Sequence, residues 1–125
     1  MRNGLPPGLD PAAVRAIVTD MDRTILPSSL ELSSKTVAAI AAVRGAGIEA
    51  IIATGRMFAS TRPYARELGI VAPVICYQGA LVADPTTGEW LLHRPIDVPS
   101  ALEVIHATCF GSTGPDLVRM SAARI

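Results

Sequence analysis

The sequence predicts an α/β fold, a layered domain built on a parallel sheet, and three features carry that expectation. Short apolar runs with β-branched residues recur at "AIVTD" (16–20), "IEAIIATG" (48–55) and "PVICYQG" (73–79). Helix-forming stretches lie between them, opened by a capping residue or closed by glycine. The distance from each run to the next is what a strand, a crossover helix and a second parallel strand consume.

Taken in order, residues 1–14 are glycine- and proline-rich and read as a flexible leader without the apolar core of a secretory signal. "AIVTD" is expected to be a buried first strand. In "SSKTVAAIAAVRGAG", Ser33 or Ser34 is the expected N-cap, Val37, Ile40 and Ala41 fall on one face, and Gly45 and Gly47 close the helix. "IEAIIATG" supplies the second strand. "ASTRPYARELG" reads as the next helix, with Pro63 near its first turn and Gly69 just past its end. "PVICYQG" is the third strand. Around "DPTTG" two extended runs face each other as a β-hairpin. From "PSALEVIHA" the chain starts helically, and "TCFGSTGPDLVRMSAARI" shows no periodicity.

Bulk properties narrow the function. The chain has 125 residues, 50% of them hydrophobic, enough for one compact core. Its 11 basic and 11 acidic residues cancel, so it has no electrostatic footprint for nucleic acid or an anionic membrane surface. A small-molecule partner is the expectation. The apolar run "VAAIAAV" stops at Arg44, far short of the roughly 20 residues that span a bilayer. With no membrane span or secretory signal read in the chain, the cytoplasm is the expected compartment, and Cys76 and Cys109, which lack CxxC spacing, read as buried reduced thiols.

The chemistry gathers at strand ends. In open parallel sheets ligands collect beyond the carboxyl ends of the strands. Asp20 closes the first strand and Thr54-Gly55-Arg56 the second, 34 residues on from Asp20 to Thr54, so both belong to one rim. With extended backbone through Met21, Asp20 and Asp22 point to the same side, roughly 6 to 7 Å apart at Cα. Like charges that close repel unless a cation or a proton intervenes. A hard cation such as Mg²⁺ would keep Asp20 ionised for attack on phosphorus, while Asp22 exchanges protons with the leaving oxygen and with water. The Thr54 hydroxyl and the backbone N–H groups around Gly55 could hold a phosphoryl oxygen. The plainer alternative makes Asp20 a turn residue and Asp22 a solvated charge.

"IVTDMDRTIL" resembles the first motif of the haloacid dehalogenase-like (HAD) phosphohydrolase superfamily, an apolar strand followed by DxDx(T/V), and "IIATGR" is similar to its second. Together with "LSSKTVAAIAAVRGAGIEAIIATGR", "PVICYQGALV" and "LLHRPID", the order and spacing resemble the Cof-type sugar-phosphatase branch over roughly residues 15 to 98. The resemblance implies a partial Rossmann-like parallel sheet with a β-hairpin and the start of a cap segment. It implies Mg²⁺-dependent hydrolysis of a phosphomonoester, plausibly a sugar phosphate, through an aspartyl-phosphate. Asp20 would be nucleophile and metal ligand, Asp22 general acid/base with its carbonyl on the metal, and Thr54 the phosphate donor. Gly55 and Arg56 would lie at the phosphate, though Arg56 could equally cap a carbonyl or pair with an acid.

Two residues depart from the branch: Arg23 stands where glycine is usual, and Gln78 where asparagine is usual. The family's third-motif lysine and fourth-motif acidic residues have no counterpart in these 125 residues. Lys35 alone is a lysine, on the surface of the first helix, and Asp116 is isolated. The expected organisation is a leader (1–14), the N-terminal part of a HAD-like core (15–98), and the start of a cap helix with an unassigned tail (99–125). The sequence is therefore expected to be a truncated or frameshifted relative. A catalytically incompetent fragment, with at most phosphate or metal binding or an interaction role, is the alternative to an active phosphatase. An incomplete sheet would also favour self-association. His93, His106 and Trp90 are assigned surface or packing roles.

Overall fold

Ser33 takes an extended conformation and its Oγ accepts the Thr36 N–H at 3.0 Å, so of the two candidate serines it is Ser33 that caps α1 (Ser34–Gly45). At the far end the Gly47 N–H donates to the Arg44 carbonyl and the Ile48 N–H to that of Val43, with Gly47 at φ 76°. This paired closure recurs on α2 (Phe58–Glu67), where Gly69 donates to Arg66 and Ile70 to Ala65. Both closures use the predicted glycines, since an L side chain is strained at positive φ. The buried stripe of α1 differs from the expected one: Ile40 is buried and Val37 packs on the core, but Ala41 faces solvent. Because α2 begins at Phe58, Pro63 lies in its second turn.

A computed structural model describes residue 8 and residues 10–109 of the chain. The remaining elements are β1 (Ala16–Thr19), β2 (Glu49–Ile52), β3 (Val74–Cys76), β4 (Leu81–Ala83), β5 (Trp90–His93) and α3 (Val98–Cys109), which makes the fold α/β as predicted. Most of the predicted leader and all of the tail after residue 109, Asp116 included, lie outside the described residues. Pro11–Ala13 form a short 3-10 turn.

β1 and β2 pair in parallel, from Ala16 opposite Glu49 to Thr19 opposite Ile52. β3 joins alongside β2 through a parallel bridge between Ala53 and Ile75, with the Thr54 N–H on the Ile75 carbonyl at 2.9 Å. The rest of its pairing is antiparallel, to β4, which in turn pairs with β5. The predicted hairpin is thus present, and it carries the third strand's main ladder. Its loop is shaped by Asp84, whose Oδ1 accepts the N–H groups of Thr86 and Thr87 at 2.6 and 3.1 Å. Arg62 and Arg66 of α2 both donate to the Thr86 carbonyl, and Arg62 also to that of Pro85.

The core follows from the alternation of side chains along strands. Ala50 and Ile52 of β2, Val74 and Cys76 of β3, and Leu81 and Ala83 of β4 are buried, with Ile40, Phe58, Ala65, Leu68 and Ile70 packed into the same cluster. β1 departs from the buried strand expected of it: Val18 is 61% exposed. Among the described residues β1 is paired on one edge only, to β2, so its apolar content is only partly covered. Trp90 is exposed and meets His93 edge-on, with ring centroids 4.7 Å apart.

The chain divides into two units, one ending at His93 and the other beginning at Arg94. In the second, Asp97 caps α3: its carboxylate accepts both the N–H and the hydroxyl of Ser100, at 3.0 and 2.8 Å. These bonds, the backbone one foremost, hold the Asp97 carboxyl below the usual carboxylate range.

Candidate active site

Past Thr19 the chain leaves the sheet with Asp20 exposed, Met21 fully buried and Asp22 exposed, which sends the two carboxylates to the solvent side. Met21 anchors the turn. Its carbonyl accepts the N–H groups of Thr24, Ile25 and Leu26, and the Arg23 N–H returns to the Leu26 carbonyl at 2.8 Å. Arg23 sits at φ 58°, which gives the physical reason why glycine suits this position. A non-glycine residue there costs roughly 1–2 kcal/mol.

The turn after β2 faces the same rim. Thr54 is 5% exposed; its backbone N–H is taken by Ile75, and its Oγ1 accepts the Arg56 N–H at 3.2 Å. A hydroxyl that accepts in this way keeps its own O–H as a donor. Asp20, Thr54 and Gly55 line one open cleft of about 520 Å³ with Ala53, Ile75, Gln78 and Gly79.

Asp22 and Arg56 are brought together as a pair, and they are not among the residues lining that cleft. Arg56 Nε donates to Asp22 Oδ2 at 2.8 Å and its terminal nitrogen to Oδ1 at 2.6 Å, the two-pronged geometry that suits a guanidinium and a carboxylate. Arg56 also lies over the Tyr64 ring, 5.9 Å from its centroid, while the Tyr64 hydroxyl donates to the Leu30 carbonyl. The Arg56 hydrogen bond holds the Asp22 carboxyl below the usual carboxylate range, against a smaller opposing effect of desolvation. The same contact raises Arg56. Of the roles the sequence left open for Arg56, the one seen is pairing with an acid.

Gln78 was legible as an unusual residue but was not assigned to the site. Tyr77 and Gln78 both have positive φ, 51° and 56°, and neither is glycine. Their backbone N–H groups are held by the Arg56 and Thr54 carbonyls, at 3.1 and 3.3 Å. The Gln78 amide lies across Gly55, so close that a methyl group on Gly55 would stand 2.8 Å from the amide nitrogen. Gly55 therefore makes room for the Gln78 side chain. The available signal was a polar residue between strand end and glycine in "YQG".

Of the two carboxylates expected to hold a cation, Asp20 lines the cleft, whereas the Asp22 side chain is engaged by Arg56. No group of three or more His, Cys, Asp or Glu side chains gathers among the described residues. Mg²⁺ keeps several waters and is commonly held by one or two carboxylates plus substrate phosphate, so the single Asp20 carboxylate of an open cleft is compatible with it. Elsewhere, burial pushes the Cys76 thiol up, which suits an inert core residue, whereas Cys109, expected to be buried too, is exposed on α3. Lys35 is exposed in the first turn of α1.

A protein family described as haloacid dehalogenase-like hydrolase matches residues 17–116. The chain belongs to that family. It is 33% identical over 91 residues to the pyridoxal phosphate phosphatase YbhA of Escherichia coli (strain K12), covering 73% of this chain and 34% of the relative. A haloacid dehalogenase-like hydrolase from B. subtilis matches with a TM-score of 0.65 and 30% identity over 74% of this chain and 32% of that one. The HAD subclass IIB sugar phosphatase BT4131 matches with a TM-score of 0.61 and 25% identity, over 77% of this chain and 37% of that one. The chain thus spans about one third of the length of these relatives. The resemblance to a Cof-type HAD hydrolase is borne out. Among the described residues no helix is long and apolar enough to cross a membrane.

Proposed function

We propose that this HAD-like chain handles the phosphoryl group of a small phosphomonoester, of the sugar-phosphate class, in a Mg²⁺-dependent hydrolysis. The observation that carries the reading is the convergence of the Asp20 carboxylate with the Thr54 hydroxyl and Gly55 in one cleft. Relatives named as pyridoxal phosphate phosphatase and sugar phosphatase support the substrate class. A cytoplasmic setting agrees with the free thiols of Cys76 and Cys109.

In this reading an Asp20 oxygen attacks phosphorus, the bond from phosphorus to the leaving oxygen breaks, and Asp22 passes a proton to that oxygen. Water then attacks the aspartyl-phosphate, gives its proton to Asp22, and frees phosphate and Asp20. Thr54 donates to a phosphoryl oxygen throughout. Mg²⁺, when held by the Asp20 carboxylate and the Asp22 carbonyl, would supply positive charge to offset that of the phosphoryl group. The Arg56 contact favours the ionised form of Asp22, as the second step needs. For the first step Asp22 must carry a proton, so Arg56 has to turn from it toward the incoming dianion.

The competing reading is binding without turnover. It is favoured by Lys35, the one lysine, which is exposed and is not among the residues that line the cleft. The deciding experiment is phosphate release from an aryl phosphate with and without Mg²⁺, using Asp20→Asn as control. Turnover that depends on Mg²⁺ and is abolished by the substitution is the expected result. Equal rates for the two proteins would defeat the phosphatase reading.

A further inference from the structure

Two consecutive residues with side chains in the left-handed region are uncommon, and such strain persists only where surrounding structure enforces it. Tyr77 and Gln78 are enforced from both sides of the β2 turn, through the carbonyls of Arg56 and Thr54. The result is directional: it carries the Gln78 amide over Gly55 and into the cleft wall beside Asp20 and Thr54. Gln78 is otherwise exposed, so core packing does not explain why an amide is kept in a conformation that glycine would occupy more easily.

We infer that Gln78 is a phosphoryl-binding residue of this site, its amide N–H donating to a phosphoryl oxygen held between Asp20 and Thr54. The inference rests on the phosphatase reading for the identity of the ligand, and it adds a neutral donor that turns with neither pH nor the state of Asp22. An amide carries two donors on one nitrogen, so one can serve the anion while the other remains with the protein or water. The long side chain matters, because its length brings the amide across Gly55 from a turn on the neighbouring strand.

Inorganic phosphate, titrated calorimetrically against the 125-residue chain in the presence of Mg²⁺, provides the test, with thermal unfolding measured in parallel. Gln78→Gly removes the amide and relieves the backbone at once. The expected outcome is a midpoint about 4 °C higher together with phosphate binding about ten-fold weaker. Gln78→Asn, which tolerates positive φ and keeps a shorter amide, should recover part of the affinity. A merely structural role would raise the midpoint and leave phosphate affinity unchanged in both variants, and that result overturns the inference while sparing the phosphatase reading. Wild-type protein that binds no phosphate at all would overturn both.

Discussion

Arg56 and Asp22 stand 34 residues apart in sequence and share two hydrogen bonds, and the consequence is a shift in when Asp22 carries its proton. Its carboxyl is held below the usual carboxylate range, chiefly by that guanidinium. A depressed acid contributes stability that is present above its unfolded pKa, near 3.9, and lost as pH falls through the folded value. Arg56→Gln should therefore raise the Asp22 pKa, read by NMR titration of its carboxyl carbon. The stability difference between the two proteins should be greatest above about pH 5 and close at lower pH. If Asp22 serves as base in the second step, the acid limb of the pH–rate profile moves to higher pH as well. An unshifted Asp22 titration would show that the pair has no hold on it in solution.

Helix ends and strand ends are where sequence and structure agree best, and the reason is local. Ser33 needs only its own backbone and Thr36 to cap α1, and at the far ends Gly47 and Gly69 donate to carbonyls three residues back while Ile48 and Ile70 donate to carbonyls five back. Ser33→Ala is expected to cost about 1 kcal/mol in denaturant-induced unfolding, with no change in the site. A loss below a few tenths would mean that Thr36 finds another acceptor. The meeting of Asp20, Thr54 and Gly55 at one cleft was equally legible, because residues just past the ends of neighbouring parallel strands leave the sheet on one rim. What could not be read was set by tertiary context. Positive φ at Arg23, Tyr77 and Gln78 leaves no mark in composition, since none of the three is glycine. The partner of Arg56 is 34 residues distant, and no local pattern selects an acid over a ligand. Ala41 was assigned to the buried face by spacing, yet the stripe that packs runs through Val37 and Ile40.

For the molecule as a whole, β1 matters most, because it carries Asp20 and yet leaves Val18 61% exposed. An apolar strand paired on one edge invites another strand. We propose that the chain self-associates there with a second copy. Its apparent mass by light scattering should rise with concentration, and Val18→Lys should suppress the rise by adding a charge to the exposed strand. Masses that match at every concentration would defeat this. Helix α2 has a contrasting part. Tyr64 bonds the loop at Leu30, Arg62 and Arg66 close on the hairpin loop at Pro85 and Thr86, and Phe58 lies under the Arg62 guanidinium. Segments distant in sequence are thereby fastened to a single helix. In terms of hydrogen exchange, the hairpin loop is expected to open with α2 rather than as an isolated surface loop, so that its amides share the helix's opening free energy and lose protection together with it.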